Sequence, residues 1–349
     1  MRAWLIAAVL VILRATGPMA QEAVAEFKSD TGVPTTQLLV RSTTDIEILA
    51  PLLQAFVTAT PTIHLQYEQW GSNALYDDSV AACERGAAPA DVVFSSGVHQ
   101  MVDLVNRACA HPYRSAATDA LPVSRRWRDE IWGITQEPAV IIYNTAQVPK
   151  GTVPDTRFAL LDLMRQPESA FTGKIATYDV EASGLGFLFA FMDSLEATTF
   201  GSLLEGFSRL QAVATCCSAE IIDGMAEGRY LIAYNVLGSY VDARPRRDVG
   251  VILPRDYTLF LSRTFMIPKQ ATHKREAALL LEFLLSPQGQ TMLADVNLFQ
   301  RIDRDARPLP DSARRAIPID PKLLVAMDRH RRQLFVEQWR TTFATERED

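Results

Sequence analysis

The chain has 349 residues, of which 48% are hydrophobic and 22% charged, enough for two ordinary domains with cores of their own. This composition excludes an intrinsically disordered chain, a collagen-like fibre and a small protein held together by disulfides. The 35 Lys and Arg against 41 Asp and Glu give a net charge of -6, which argues against a protein that binds nucleic acid phosphates.

The first twenty residues have the pattern of a cleaved secretory signal. Arg2 precedes an unbroken apolar run from Ala3 to Leu13, and small residues follow at Ala20 and beyond. A membrane span needs about 20 apolar residues, roughly twice the length of this run. We therefore expect residues 1–20 to be removed, with residue 25 as an alternative end of the signal, and the mature protein to be periplasmic.

Strand and helix patterns alternate in the next part of the chain. Short apolar runs bounded by polar residues predict strands at Leu38–Val40, Ile63–Tyr67 and Ala90–Phe94. Each run leads through a polar turn into a segment with apolar residues at helical spacing, such as Leu49 and Phe56 after the first strand. This order of strand, loop and helix predicts a parallel sheet whose loops gather at one end.

The polar turns carry hydroxyl side chains where the helices are predicted to begin. Thr43 and Thr44 follow the first strand, and Ser95 and Ser96 follow the third. Helix capping explains these residues as structure. They also suit an anion site, because ligands of open parallel sheets bind beyond the carboxyl ends of the strands, where helix N-termini present unpaired N–H groups. Both interpretations remain open from the sequence.

A break in an apolar strand marks the predicted boundary between two lobes. Glu137 and Pro138 precede the apolar run Ala139–Tyr143, and a strand interrupted in this way suits a chain that crosses between lobes. Glu137 is then either a hinge carboxylate or a ligand contact. A further strand at Val249–Leu253 leads to Pro254, where we expect the chain to return to the first lobe.

The pattern of strand, polar turn and helix recurs between these crossings. Ser183 and Gly184 precede an apolar helix, and Tyr234, Asn235 and Ser239 lie at the end of a strand. We therefore predict an α/β protein with two lobes, each a sheet flanked by helices, and a hinge between them. The predicted first lobe contains residues 36–136 and 254–349, the second contains residues 137–253, and two late amphipathic helices are predicted at 271–285 and 321–339.

Export places the four cysteines in a compartment where disulfides persist. Cys83 and Cys109 each fall near the end of a predicted helix, just before a strand, so they can lie at the same end of a sheet and pair. Cys216 and Cys217 are adjacent, which makes a mutual bridge strained and favours a pair of buried or free thiols. No cysteine or histidine cluster has ligand spacing, so the sequence predicts no metal site and no cofactor.

Several phrases of the sequence resemble one known family. "ADVVFSS", "EPAVIIYN", "IAYNVLGSY" and "FLLSPQGQ" are similar to segments of the extracellular solute-binding proteins of ABC-type uptake systems. The narrower phrases, "YNVLGSY" with "EPAVIIYN", resemble the branch that holds the phosphoglycerate-transport regulatory protein, near the ferric-iron and hexose-phosphate binding proteins. The resemblance implies a periplasmic-binding-protein fold of type II, in which two lobes joined by a hinge close over a small ligand.

The resemblance also implies a function. A monomeric periplasmic protein would capture a small anionic solute, phosphorylated or carboxylated, and present it to an ABC permease or to the periplasmic domain of a sensor histidine kinase. No nucleic acid partner and no enzymatic activity are expected. The residues expected to bind the solute carry hydroxyl, amide, carboxylate or backbone N–H groups: Thr43, Thr44, Ser95, Ser96, Glu137, Ser183, Gly184, Tyr234, Asn235 and Ser239.

Three alternatives follow from the same residues. Ferric-binding relatives hold iron with adjacent tyrosines at the position of Tyr234 and Asn235. Asn235 replaces the second tyrosine here, so iron binding of this kind is disfavoured. Some relatives sense arsenite through a cysteine whose position resembles Cys109, where a soft thiolate would bind it unless Cys83 consumes that thiol in a bridge. A secreted hydrolase using Glu137 or a cysteine lacks any accompanying nucleophile motif.

Overall fold

The computed structural model describes residues 21–166, 169–243, 246–299 and 309–344. The expected signal at residues 1–20 lies outside the described residues. The described strands are β1 (Gln21–Phe27), β2 (Thr36–Ser42), β3 (Ile63–Trp70), β4 (Val92–Ser95), β5 (Arg126–Trp127), β6 (Ile131–Gly133), β7 (Glu137–Asn144), β8 (Ile175–Tyr178), β9 (Val213–Thr215), β10 (Ile232–Leu237), β11 (Val249–Ile252), β12 (Thr258–Leu261), β13 (Thr264–Met266) and β14 (Arg314–Ala316).

Helices connect and cover these strands. No helix in the described ranges is long and apolar enough to cross a membrane. The described α-helices are α1 (Ile46–Ala59), α2 (Ser72–Arg85), α3 (Val98–Asn106), α4 (Ala116–Asp119), α5 (Arg157–Arg165), α6 (Gly184–Glu196), α7 (Phe200–Arg209), α8 (Ser218–Ala226), α9 (Gly238–Ala243), α10 (Lys274–Leu285), α11 (Pro287–Asp295) and α12 (Arg329–Phe343).

The first lobe is built on a sheet with the strand order β1-β3-β2-β4-β13-β6-β5. β2 runs parallel to β3 and β4, as the sequence predicts, whereas β1 and β13 are antiparallel to their neighbours. The apolar face of α1, which carries the buried Leu49, Leu52 and Phe56, packs on β1 and β3. Because β2 and β4 are parallel neighbours, their carboxyl ends lie side by side, which brings the polar turns that follow them together.

The second lobe is built on a separate sheet with the strand order β14-β12-β7-β10-β8-β9, and β11 also pairs with β7. β8 runs parallel to β9 and β10, whereas β7 is antiparallel to β10. α6 is buried on all sides over its first ten residues, including Phe187 and Phe189, as expected for a helix that is apolar all round. It forms the centre of this lobe.

Two of the chain's crossings between the lobes lie next to each other. The first crossing lies between β6 and β7, at the break before Glu137 that the sequence predicts. The second lies between β12 and β13, at Ser262 and Arg263, later than the predicted return at Pro254. β12 stays in the second sheet because Phe260 and Leu261 pair with Pro138 and Glu137 at the start of β7. The two crossing segments therefore run side by side.

The C-terminal segment also differs from the prediction. β14 joins the second sheet, and α12 packs on α7 of the second lobe, so residues 309–344 do not belong to the first lobe alone. The single helix predicted at 321–339 is divided at Asp328. A 3-10 helix covers Pro321–Met327, and the Asp328 side chain then caps α12 by accepting a 2.9 Å hydrogen bond from the Arg331 N–H.

The cleft between the two lobes

A cleft of about 300 Å³ lies between the lobes. Polar and aromatic residues from both sheets form its walls. The first lobe contributes Glu22, Thr43, Asp45, Gln69, Trp70, Gly71, Ser72 and Ser96, and the second lobe contributes Tyr178, Ala182, Ser183, Leu185, Cys216, Cys217, Ser218, Ala219 and Tyr240.

Five of the described helices begin at this cleft. Asp45 and Gly71 precede α1 and α2, Ser96 and Gly97 precede α3, and Ser183 and Cys217 are the N-cap residues of α6 and α8. The first N–H groups of a helix have no partner within it, and the helix dipole places partial positive charge at the same end. Both walls of the cleft therefore favour negatively charged ligand atoms.

The charged side chains of the cleft are negative, whereas the helix N-termini carry partial positive charge. Among the described lining residues Glu22 and Asp45 are carboxylates, and none is Lys or Arg. The Gln69 amide donates to both of these carboxylates, at 3.0 Å to Glu22 Oε2 and 3.4 Å to Asp45 Oδ1. The cleft thus combines the partial positive charge of the helix N-termini, which favours an anionic group, with carboxylates that accept hydrogen bonds from hydroxyl or amino groups.

Three of the ten predicted solute-binding residues line the cleft. Thr43 and Ser96 form a pair in the first lobe, with hydroxyl oxygens 3.1 Å apart, and the Ser96 N–H donates to Thr43 Oγ1 at 2.9 Å. Ser183 caps α6 by accepting a 3.0 Å hydrogen bond from the Gly186 N–H. A fourth, Gly184, lies beside the cleft, where its N–H donates across the lobes to Ser72 Oγ at 2.9 Å.

Four further predicted residues lie elsewhere, with their side chains bonded to protein groups. Thr44 Oγ1 accepts from Arg263 Nη1 at 3.0 Å, and Ser95 Oγ accepts from a backbone N–H in its own turn. Glu137 is fully buried, with Oε1 2.9 Å from Arg263 Nε, and its other oxygen accepts the Ser239 hydroxyl at 2.5 Å. Glu137 is therefore a structural carboxylate of the crossing, which removes the basis for a hydrolase that uses it.

Tyr234 and Asn235 point into the interior of the second lobe. The Tyr234 hydroxyl donates to Asp193 Oδ2 at 2.7 Å and accepts from Arg157 Nε at 2.5 Å, while Asn235 Nδ2 donates to the same carboxylate at 2.5 Å. Burial raises the pKa of Tyr234 well above its usual value, so this side chain stays a neutral phenol. It is not positioned to bind iron as a phenolate.

The cysteines divide into a bridged pair and a free pair. Cys83 and Cys109 form a disulfide, and Cys109 is 2% exposed. The arsenite hypothesis based on Cys109 is therefore wrong, because this residue has no thiol to offer. Cys216 and Cys217 are free, exposed and part of the cleft wall. Partial burial and the neighbouring Cys217 and Glu220 raise the pKa of the Cys216 thiol to about 12.

The turn that carries the free cysteines was not predicted from the sequence. β9 has only three residues, of which one is buried, so the apolar run before the turn is too short to predict a strand. The signal that was present is the polar sequence Cys217-Ser218 before the apolar helix α8, the same pattern that led to Ser183. Ser218 lines the cleft and lies 2.6 Å from the hydroxyl of Tyr178, a second residue that was missed.

The two lobes touch at the edges of the cleft. Asn73 Nδ2 of the first lobe donates to the Glu181 carbonyl of the second at 2.8 Å, and the Tyr240 hydroxyl donates to the Thr43 carbonyl at 3.0 Å. His99 of α3 stacks on Phe187 of α6 with 5.4 Å between the ring centres. The two lobes are thus in direct contact, and residues of both surround the same space.

Fold and cleft together define a two-lobed binding protein of the type II periplasmic class. The sequence matches the family model of the bacterial extracellular solute-binding proteins over residues 52–299, more than half of the chain. The chain therefore belongs to this family. A search of curated proteins finds no match.

Solved structures agree with this assignment. The substrate-binding protein of an ABC transporter from Agrobacterium tumefaciens is 29% identical, with a TM-score of 0.85 over 94% of this chain and 100% of that one. Apo ferric ion-binding protein A from Pasteurella haemolytica is 20% identical, with a TM-score of 0.65 over 89% and 99% of the two chains. The ferric binding protein from Campylobacter jejuni is 16% identical, with a TM-score of 0.66 over 87% and 99%. The last two similarities concern the fold alone.

Proposed function

We propose that this protein captures a small organic anion, a phosphorylated or carboxylated metabolite, by closing its lobes over the cleft, and delivers it to an ABC permease. The observation that carries the proposal is the convergence of five helix N-termini from both lobes on one cleft. A ligand that contacts both walls binds the closed form better than the open form, and only this difference in affinity favours closure.

The carboxylates of the cleft narrow the class of solute. Glu22 and Asp45 repel a bare inorganic anion but accept hydrogen bonds from hydroxyl or amino groups. A solute that carries such groups beside its phosphate or carboxylate complements both features of the walls. Export through a signal cleaved after Ala20 fits this function, because it preserves β1 and with it Glu22.

A ligand screen tests the proposal. Residues 21–349 would be titrated with phosphorylated three-carbon acids, sugar phosphates, hydroxy acids, inorganic phosphate and ferric citrate, and their thermal unfolding compared. We expect a hydroxylated organic anion to stabilise the chain by about 2.7 kcal/mol at 100 times its dissociation constant. Mass spectrometry should recover the solute unchanged.

Point variants then locate the solute. Ser96→Ala and Ser183→Ala should each weaken binding about tenfold, the effect of losing one hydrogen bond to a charged group. Ser194→Ala is the matched control, because its hydroxyl lies on the same helix as Ser183 and donates at 2.6 Å to the Phe191 carbonyl. Full affinity in both cleft variants, or the absence of any organic anion among the ligands, would contradict the proposal.

A further inference from the structure

Three side chains that commonly bind metals lie together at the start of α8. Cys216 and Cys217 belong to the second-lobe wall of the cleft, and Glu220 lies in the first turn of the helix. One ligand atom from each of the three lies within 4.8 Å of the others. All three residues are exposed, so an ion from solution can reach them.

The contacts within this cluster already bring its donor atoms together. Cys216 Sγ lies 2.6 Å from Cys217 Sγ and 3.3 Å from Glu220 Oε2. Two thiolates bound to one tetrahedral metal at about 2.3 Å each are separated by about 3.8 Å, a distance that exposed side chains reach by rotating about χ1. The Thr215 hydroxyl donates to the Glu220 carboxylate and holds it beside the thiols, as supporting hydrogen bonds do in metal sites.

We propose that Cys216, Cys217 and Glu220 bind one thiophilic divalent cation with a filled d shell, zinc(II) being the biological example. Two sulfur ligands select against magnesium and calcium, which prefer oxygen, and the carboxylate selects against copper(I), which prefers sulfur. Each thiol releases its proton to solvent when the ion binds. With three protein ligands, a fourth position remains for water or for an oxygen atom of the cleft's contents.

Metal binding at this site can be tested in the absence of the proposed anionic solute. The purified chain would be kept in a mild reductant and titrated with cadmium(II), whose bonds to thiolates produce an ultraviolet charge-transfer absorption. A thiol count of two per chain before the titration shows that the buried bridge of Cys83 and Cys109 is intact. We expect one cadmium ion per chain, and its displacement by zinc(II).

Variants assign the three ligands. The double substitution Cys216→Ser with Cys217→Ser should abolish the charge-transfer absorption, and Glu220→Gln should weaken cadmium binding at least about tenfold, as loss of one ligand does. Glu227→Gln is the matched control, because Glu227 is an exposed carboxylate at the other end of the same helix, 2.7 Å from Arg229. It should bind cadmium as the unaltered chain does.

Several results would overturn this proposal. It fails if the reduced chain shows no charge-transfer absorption, or if the absorption persists in the double serine variant. It also fails if Glu220→Gln binds as tightly as the control, since the carboxylate is then not a ligand. Because each variant is checked for an unchanged circular dichroism spectrum, a loss of binding cannot come from misfolding. Loss of solute binding in the screen above would leave these results unaffected.

Discussion

Two arginine side chains are fully buried beside carboxylates, but they occupy different parts of the molecule. Arg157 lies inside the second lobe, 3.1 Å from Asp193 and 3.3 Å from Asp256. Arg263 lies at the second crossing, 2.9 Å from Glu137. Burial opposes both positive charges, but the nearby tyrosines and carboxylates more than offset it, so the pKa of each arginine is raised. Both side chains are therefore positively charged at neutral pH.

The two arginines differ in their other hydrogen-bond partners. Arg157 also bonds to the hydroxyl of Tyr234 and the carbonyl of Tyr257, which belong to its own lobe. Arg263 donates to Thr44 Oγ1 at 3.0 Å and to the Thr43 carbonyl at 3.4 Å in the first lobe. The two buried ion pairs therefore have different roles. The pair of Arg157 and Asp193 stabilises the interior of the second lobe, whereas the pair of Arg263 and Glu137 helps to hold the two lobes in position relative to each other.

The largest expected effect is on stability, from Arg157→Met. The substitution leaves Asp193 buried without a cation, and loss of one member of a buried pair costs about 3–5 kcal/mol. The free energy of unfolding, measured in urea, should fall by that amount. Arg114→Met is the control, because this exposed side chain pairs only with Asp119 among the described contacts and should leave the urea midpoint unchanged.

Arg263→Met should separate the two roles. We expect the free energy of unfolding to fall by about 3 kcal/mol, because Glu137 loses its cation. We also expect solute binding to weaken about tenfold, because Thr43 and Thr44 lose their hydrogen bonds to the guanidinium group. Isothermal titration with the solute found in the screen measures the second effect. Arg157 contacts only the second lobe, so Arg157→Met should bind the solute as tightly as the unaltered chain. Equal weakening of solute binding in both variants would show that the two arginines do not differ in this role.

His99 extends the comparison to a group that can lose its charge. Its ring is buried between α3 and Phe187 of the second lobe, and burial, with a smaller effect from Arg332, lowers its pKa to about 3. The neutral ring is therefore favoured in the folded protein. Its contribution to stability is complete above the unfolded pKa of about 6.5 and is lost as the pH falls towards 3.

The pH dependence can be measured by urea unfolding. Relative to pH 7.5, the His99 contribution should fall by about 2 kcal/mol at pH 5. His99→Phe keeps the stacking on Phe187 but cannot be protonated, so it should lose this part of the pH dependence. The same slope in both proteins would show that other groups cause it.

The smallest expected effect comes from Tyr240→Phe. The variant loses the hydrogen bond to the Thr43 carbonyl across the cleft but keeps the ring beside Arg263, whose guanidinium carbon lies 5.2 Å from the ring centre. A single hydrogen bond of this kind contributes about 1 kcal/mol. Stability and solute affinity should therefore fall slightly together, and a loss as large as that of Arg263→Met would assign the anchoring role to Tyr240 instead.

The two sheets flanked by helices could be predicted from the sequence because they depend on local patterns of apolar and polar residues. The sequence could not show which of two neighbouring hydroxyl residues lines the cleft. Thr43 and Ser96 line the cleft, whereas the hydroxyl groups of Thr44 and Ser95 lie beside them and accept hydrogen bonds from protein groups. Successive side chains at a strand end point in opposite directions, and only the packed lobes show which direction is the cleft.

Long-range partners explain the other differences. Glu137 was expected as a hinge carboxylate or ligand contact, and its partner Arg263 lies 126 residues further along the chain. Tyr234 likewise meets Arg157 from a separate helix, 77 residues away. Neither distance in sequence leaves a local pattern, so a buried tyrosine or glutamate of this kind resembles a binding residue until the fold is known.

The edge strand β1 has a practical consequence for making the protein. Glu22 of this strand lines the cleft, so a chain cut after Ala20 starts only one residue before a wall residue. An affinity tag attached there would stand beside the wall of the cleft, where it would interfere with contact between the lobes. Recombinant protein for binding studies should therefore carry its tag at the C-terminus, or begin at Gln21 with nothing in front.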